Sequence, residues 1–93
     1  MSIKSFRHKG LERLFTTGSR AGVQAAHAAR LMRVLAVLHA ATGADEMKLP
    51  GFGLHALHGD RAGRFAVSIS GNWRVTFEFS GTDAILVDYE DYH

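Results

Sequence analysis

The sequence predicts an α+β fold in which a helical hairpin covers one face of a twisted, mostly antiparallel sheet. Two observations carry that prediction. Residues 64–69 and 72–79 alternate apolar and polar side chains, with Phe65, Val67 and Ile69 on one side of the first run. Trp73, Val75, Phe77 and Phe79 fall on one side of the second, and Arg74, Thr76 and Glu78 on the other. Such alternation marks strands with one face against a core and one face free. Upstream, the apolar residues recur at helical spacing instead. The element order is β-α-α-β-β-β-β within a single domain, residues 1–93.

Residues 3–6 alternate briefly and suit an edge strand. Over 9–17, Leu11, Leu14 and Phe15 take helical spacing, and Gly18 stands where a helix would stop. A second helix is expected over about 23–41, with Ala28, Leu31, Val34, Leu35 and Leu38 as its buried stripe. Gln24, His27, Arg30 and Arg33 lie on its other sides. The short link between the helices makes them an antiparallel hairpin. Gly43, Pro50, Gly51 and Gly53 break any periodicity in the stretch that follows. Then come a strand at 54–57, a turn at 59–63, the two alternating strands, a turn at 80–83 and a last strand at 84–89. A three-residue loop, Ser70-Gly71-Asn72, would pair Ile69 with Trp73, Val67 with Val75 and Phe65 with Phe77. A two-residue loop, Gly71-Asn72, would pair Ser70 with Trp73 and put Ile69 on the same face as Arg74, so the longer loop is expected. No further element remains for the polar face, which should be open.

Ninety-three residues suffice for one core, and the charged fraction of 22% is ordinary for a globular protein. The chain has no cysteine, which excludes disulfides and thiolate zinc sites. No apolar run reaches the roughly 20 residues of a membrane span, and the polar start is unlike a signal peptide. A cytoplasmic protein is therefore expected. Charge is unevenly spread. Residues 1–43 hold seven basic residues against Glu12 alone, a balance of +6. Residues 44–93 hold four basic against eight acidic, a balance of −4. A basic half suits a polyanion such as nucleic acid.

Three features carry candidate chemistry. His55 and His58 stand three apart, a spacing that points them to opposite faces of a strand, with no third metal ligand nearby in sequence. Arg74 lies on the open face of a central strand, where a planar, permanently charged guanidinium could meet a phosphate. The chain ends Asp91-Tyr92-His93: an acid, a stacking ring and an imidazole. Cleavage of RNA by its own 2′-OH needs a base, an acid and a cation to neutralise the phosphorane, and histidine suits either proton-transfer role.

At these residues a resemblance becomes specific. Ile3-Lys4-Ser5-Phe6-Arg7-His8-Lys9-Gly10, Leu54-His55-x-Leu57-x-Gly59-Asp60, Asn72-Trp73-Arg74-x-Thr76-Phe77 and Asp88-Tyr89-Glu90-Asp91-Tyr92-His93 resemble the HigB toxins. These belong to the RelE/ParE superfamily of toxin–antitoxin modules, and the likeness covers essentially the whole chain. It implies a RelE/ParE-like fold and a ribosome-dependent endoribonuclease that cleaves mRNA in the A site without cofactor or metal. It also implies a HigA-type helix-turn-helix antitoxin whose complex with the toxin binds operator DNA.

By the same resemblance, His55, Asp91, Tyr92 and His93 match catalytic positions, and Arg74 a phosphate-binding one. His58, Arg61 and Arg64 are expected beside Arg74 on an RNA-binding surface, with Arg30 and Arg33 adding to it. Many relatives have lysine at the position of His58, and the aromatic pair common after the Gly59-Asp60 turn is here Arg64-Phe65. Two other readings are a ParE-like gyrase inhibitor, which needs no catalytic histidines, and a non-catalytic module that docks a partner. Convergence of His55, Arg74 and His93 on one concave surface would favour the nuclease.

Overall fold

A computed structural model of the chain describes residues 2–92. Among these, two α-helices, α1 (Lys9–Thr17) and α2 (Ala28–Ala40), share one hydrophobic core with a four-stranded sheet. The strands are β1 (His55–Ala56), β2 (Arg64–Ser70), β3 (Trp73–Ser80) and β4 (Asp83–Asp91). They pair antiparallel in the order β1-β2-β3-β4, so the sheet is a meander. None of the described helices is long and apolar enough to cross a membrane.

The expected stripe is the buried one. Ala28 is buried, and Leu31, Val34, Leu35 and Leu38 share one core with Leu11, Leu14, Val67, Val75, Phe77 and Val87. Each fully buried side chain of this size contributes about 1.5–3 kcal/mol. Helix propensities differ by only a few tenths per residue, so burial decides which faces meet. Val75 is 0% exposed beneath the helices and Arg74 stands half-buried on the far side, as the alternation requires.

Local chemistry sets the helix ends. The His8 ring accepts the Leu11 N–H through Nδ1 at 3.0 Å, a side-chain cap on α1. Gly18 closes that helix at φ 80°, returning its N–H to the Leu14 carbonyl at 3.0 Å. α2 begins later than the spacing predicts. A 3-10 turn, Ala25–His27, precedes it and carries the His27 ring inward, where Nδ1 lies 2.6 Å from the Tyr89 hydroxyl. A polar ring thus enters the core by way of a hydrogen bond, which no hydrophobic stripe would reveal.

Register corrects the β2–β3 loop. Ser70 pairs with Trp73, so the loop has two residues, Gly71 and Asn72, with Gly71 at φ 55°. Ile69 forms a bulge that absorbs the extra residue, and the Val67–Val75 and Phe65–Phe77 pairs stand as expected. The bulge keeps Ile69 buried while a tight turn with a positive-φ glycine closes the hairpin.

Both ends of the chain also differ from expectation. Residues 3 and 6 run parallel to β4 through two separate bridges, Ile3 to Ala84 and Phe6 to Val87. A continuous edge strand cannot form there, because β4 is irregular at Leu86, which sits at φ 54° and donates its N–H to the Ser5 hydroxyl. The last strand extends to Asp91 and pairs through to Trp73. Two residues of the expected tail, Glu90 and Asp91, therefore belong to the sheet. Residues 42–53, expected to be irregular, contain a 3-10 turn, Ala44–Met47, and supply Met47 and Phe52 to the core.

Candidate active site on the open sheet face

Strand pairing sorts the candidate residues by face. One row across the open face runs His55, Ala66, Thr76, Asp88, and the next runs Ser68, Arg74, Glu90. Rows of this kind are about 7 Å apart along the strands. Arg64 lies on the same face, opposite Glu78. Tyr92 follows Glu90 by two residues and returns to it, its N–H donating to the Asn72 carbonyl at 2.7 Å. Asp91 takes the other side: it pairs with Trp73, whose ring packs on Tyr89 in the core. His93 lies outside the described residues.

His55 is exposed on the edge strand, with Nδ1 3.2 Å from the Gly53 carbonyl oxygen. A carbonyl only accepts, so Nδ1 carries the proton and the neutral ring keeps Nε2 as an acceptor with no partner among the described residues. His58, exposed at the start of the 3-10 turn Gly59–Arg61, makes no side-chain capping bond there.

The polar face is less open than expected. Thr76 and Ala66 are 0% exposed and Arg64 only 7%. Arg61, from the turn between β1 and β2, reaches over the sheet and donates to Glu90 on β4 at 2.5 Å. Thr76 donates to the same oxygen, Oε2 of Glu90. Arg64 donates to the Thr76 hydroxyl at 3.0 Å and to the Leu86 carbonyl at 2.9 Å. Its Nε and remaining terminal nitrogen are buried with no hydrogen-bond partner among the described residues. Burial, and then the like charge of Arg61, lower the Arg64 pKa, yet guanidinium keeps its charge. For Glu90, burial pushes the carboxyl up. Hydrogen bonds from Arg61 and Thr76 and the charges of Arg61 and Arg64 outweigh it and hold the group below its ordinary range.

The Arg61 and Arg74 guanidinium carbons each lie 5.8 Å from the centre of the Tyr92 ring, within cation–π range. A second nitrogen of Arg61 approaches the Tyr92 hydroxyl at 3.4 Å, and Arg74 donates to the Gly71 carbonyl at 2.8 Å. The face therefore carries His55, Arg61, Arg64, Arg74 and Tyr92, and of these Arg61 and Arg74 meet at the Tyr92 ring. Arg30 and Arg33 are not among them. They sit on α2, and Arg30 spends its donors on the Ser68 and Gly51 carbonyls at 2.8 and 2.6 Å while lying over Phe52. Arg33 also lies over Phe52, at 5.9 Å. Both basic side chains work on the helix side, so the expected surface is narrower than charge alone suggested. Thr76 and Glu90 escaped the sequence reading as site residues, although the polar alternation 74-76-78 already placed Thr76 on this face.

The model of the family described as the RelE-like toxin of the type II toxin–antitoxin system HigB matches residues 4–93. The chain belongs to the HigB-like toxin family. Its sequence is also 43% identical over 91 residues to a Proteus vulgaris protein named endoribonuclease HigB, covering 98% of this chain and 99% of that one. As a HigB-like toxin of a type II system it has an antitoxin partner. The helical pair on an antiparallel sheet is consistent with the RelE-like fold.

Proposed function

We propose that this HigB-like toxin is an endoribonuclease that cuts mRNA in the ribosomal A site. The observation that supports this best is the open face itself, which carries His55, with no partner for Nε2 among the described residues, together with three arginines and a tyrosine. The relative's name, endoribonuclease, points the same way.

The chemistry follows from those groups. His55 Nε2 removes the proton from a ribose 2′-OH, and that oxygen attacks the adjacent phosphorus. The P–O5′ bond breaks, leaving a 2′,3′-cyclic phosphate, and the 5′-oxygen takes a proton from His93. Arg74, with Arg61 and Arg64, offsets the charge that builds on the phosphoryl oxygens. Tyr92 stacks on a base or hydrogen-bonds the phosphate, Asp91 supports an imidazole through its charge, and exposed His58 adds a cation when protonated. The nucleophile comes from the substrate, so this route calls for no metal or cofactor. A HigA-type helix-turn-helix antitoxin holds the toxin silent in the cytoplasm, and the pair binds operator DNA.

Translation in vitro, with toeprinting of the mRNA, tests the proposal. The toxin should give a new toeprint within the A-site codon only when ribosomes are present, and His55→Ala should abolish it. Cutting of naked RNA, or an unchanged toeprint with His55→Ala, would overturn it. Inhibition of gyrase supercoiling without any toeprint would favour the ParE-like reading.

A further inference from the structure

We propose that Thr76 and Glu90 are positioning residues for the cleavage, holding Arg61 where it can carry Tyr92. The inference rests on the nuclease reading above and adds to it two residues that never touch the RNA.

Thr76 occupies the central strand and is 0% exposed, so its hydroxyl must be satisfied within the protein. Arg64 can only donate, and it takes the hydroxyl's lone pair at 3.0 Å. The single proton of Thr76 is thereby committed to Glu90. Glu90 Oε2 accepts a second, charge-assisted bond from Arg61 at 2.5 Å. With one terminal nitrogen held there, Arg61 presents the other to the Tyr92 hydroxyl at 3.4 Å and its charge to the ring. Donor and acceptor roles thus run one way, from Arg64 through Thr76 to Glu90, and from Arg61 to both Glu90 and Tyr92.

This network is more than a surface ion pair. An exposed Arg–Glu pair is worth little, because water and side-chain entropy compete with it. Here the carboxylate is pinned by a buried hydroxyl, which fixes the geometry of the guanidinium above it. Tyr92 is held from three directions: by Arg61, by Arg74 and by its own N–H on Asn72. Of the three, only the Arg61 contact depends on a partner side chain deeper in the sheet.

Single-turnover cleavage on programmed ribosomes, using the full chain, tests the idea. Thr76→Val keeps the volume and removes the hydroxyl. It should lower the rate at saturating ribosomes about 10- to 100-fold, the scale of a misplaced catalytic group, while KM for ribosomes stays within about threefold. Thr76→Ser should restore most of that rate, and Glu90→Gln should fall with Thr76→Val. In a Tyr92→Ala background Thr76→Val should cost no more than about twofold, since residues acting through one another are not additive. An undiminished loss in that background, or a faster enzyme from Glu90→Gln, would overturn the proposal. The second result would mean that Glu90 competes with RNA for the cations. His55→Ala runs alongside: full activity there defeats the nuclease reading, whereas full activity from Thr76→Val beside an inactive His55→Ala defeats only the positioning. Should Thr76→Val fail to fold by near-UV circular dichroism, Thr76→Ser and Glu90→Gln carry the same comparison.

Discussion

Arg61 and Tyr92 stand 31 residues apart in the chain, yet the Arg61 guanidinium carbon lies 5.8 Å from the centre of the Tyr92 ring. One residue comes from the turn before β2 and the other from the end of β4, so the contact spans the sheet. It joins the turn before β2 to Tyr92 on the open face.

Binding to ribosomes or RNA should weaken as salt rises, because phosphate contacts release counterions. Arg74→Ala should reduce the slope of log affinity against log salt by about one. Arg30→Ala should leave that slope alone and lower stability instead, since its donors serve the Ser68 and Gly51 carbonyls. Titrations from about 50 to about 300 mM salt check both variants. Equal slopes for the parent and Arg74→Ala would remove Arg74 from the phosphate surface.

Glu90 makes stability depend on acid in a defined direction. Its folded-state pKa is depressed below the ordinary glutamate value of about 4.3. The stabilisation is therefore complete above that value and disappears as pH falls through the lower, folded-state pKa. Urea denaturation should show a full, pH-independent contribution from this group between about pH 5 and 7 and a decline at more acid pH. Glu90→Gln should lack that part of the decline. Parallel curves for the two proteins would show that the carboxylate is not held as described.

A chain ending at Tyr92 tests His93 directly. General acid–base groups are worth about 10²- to 10⁴-fold, so the truncated toxin should lose at least about two orders of magnitude in ribosome-dependent cleavage. Its melting temperature should be unchanged, because a terminal residue contributes few buried contacts. Full activity would exclude His93 and leave His55 as the histidine in the reaction.

Gly10→Ala reverses the usual sign of a helix substitution. Within a helix, alanine is favoured over glycine by about 0.5–1 kcal/mol. Here a Cβ at position 10 would meet the Gly22 carbonyl oxygen at 2.4 Å, where the segment before α2 crosses α1. The backbone cannot yield cheaply, so the variant should be destabilised by about 1–3 kcal/mol or more. A denaturation midpoint at or above the parent's would show that the two segments can separate without cost.

The apolar stripe of α2, the alternation of β2 and β3, the stop at Gly18 and the face that holds Arg74 were all legible in the sequence. Each depends on residues two to four positions apart, and that spacing is fixed by the geometry of one helix or one strand. Short motifs such as Leu54-His55-x-Leu57 and the closing Asp91-Tyr92-His93 were equally legible, and they pointed to the HigB family. Tertiary structure alone decided the bulge at Ile69, the extension of β4 to Asp91, the burial of His27 against Tyr89 and the capture of Arg30 by Ser68 and Gly51. It also decided the network at the site. Thr76 reaches Glu90 across 14 residues, and Arg61 reaches Glu90 across 29. No local periodicity encodes such separations: they depend on strand register, which is set by the whole core, and on which buried donor finds an acceptor once water is excluded.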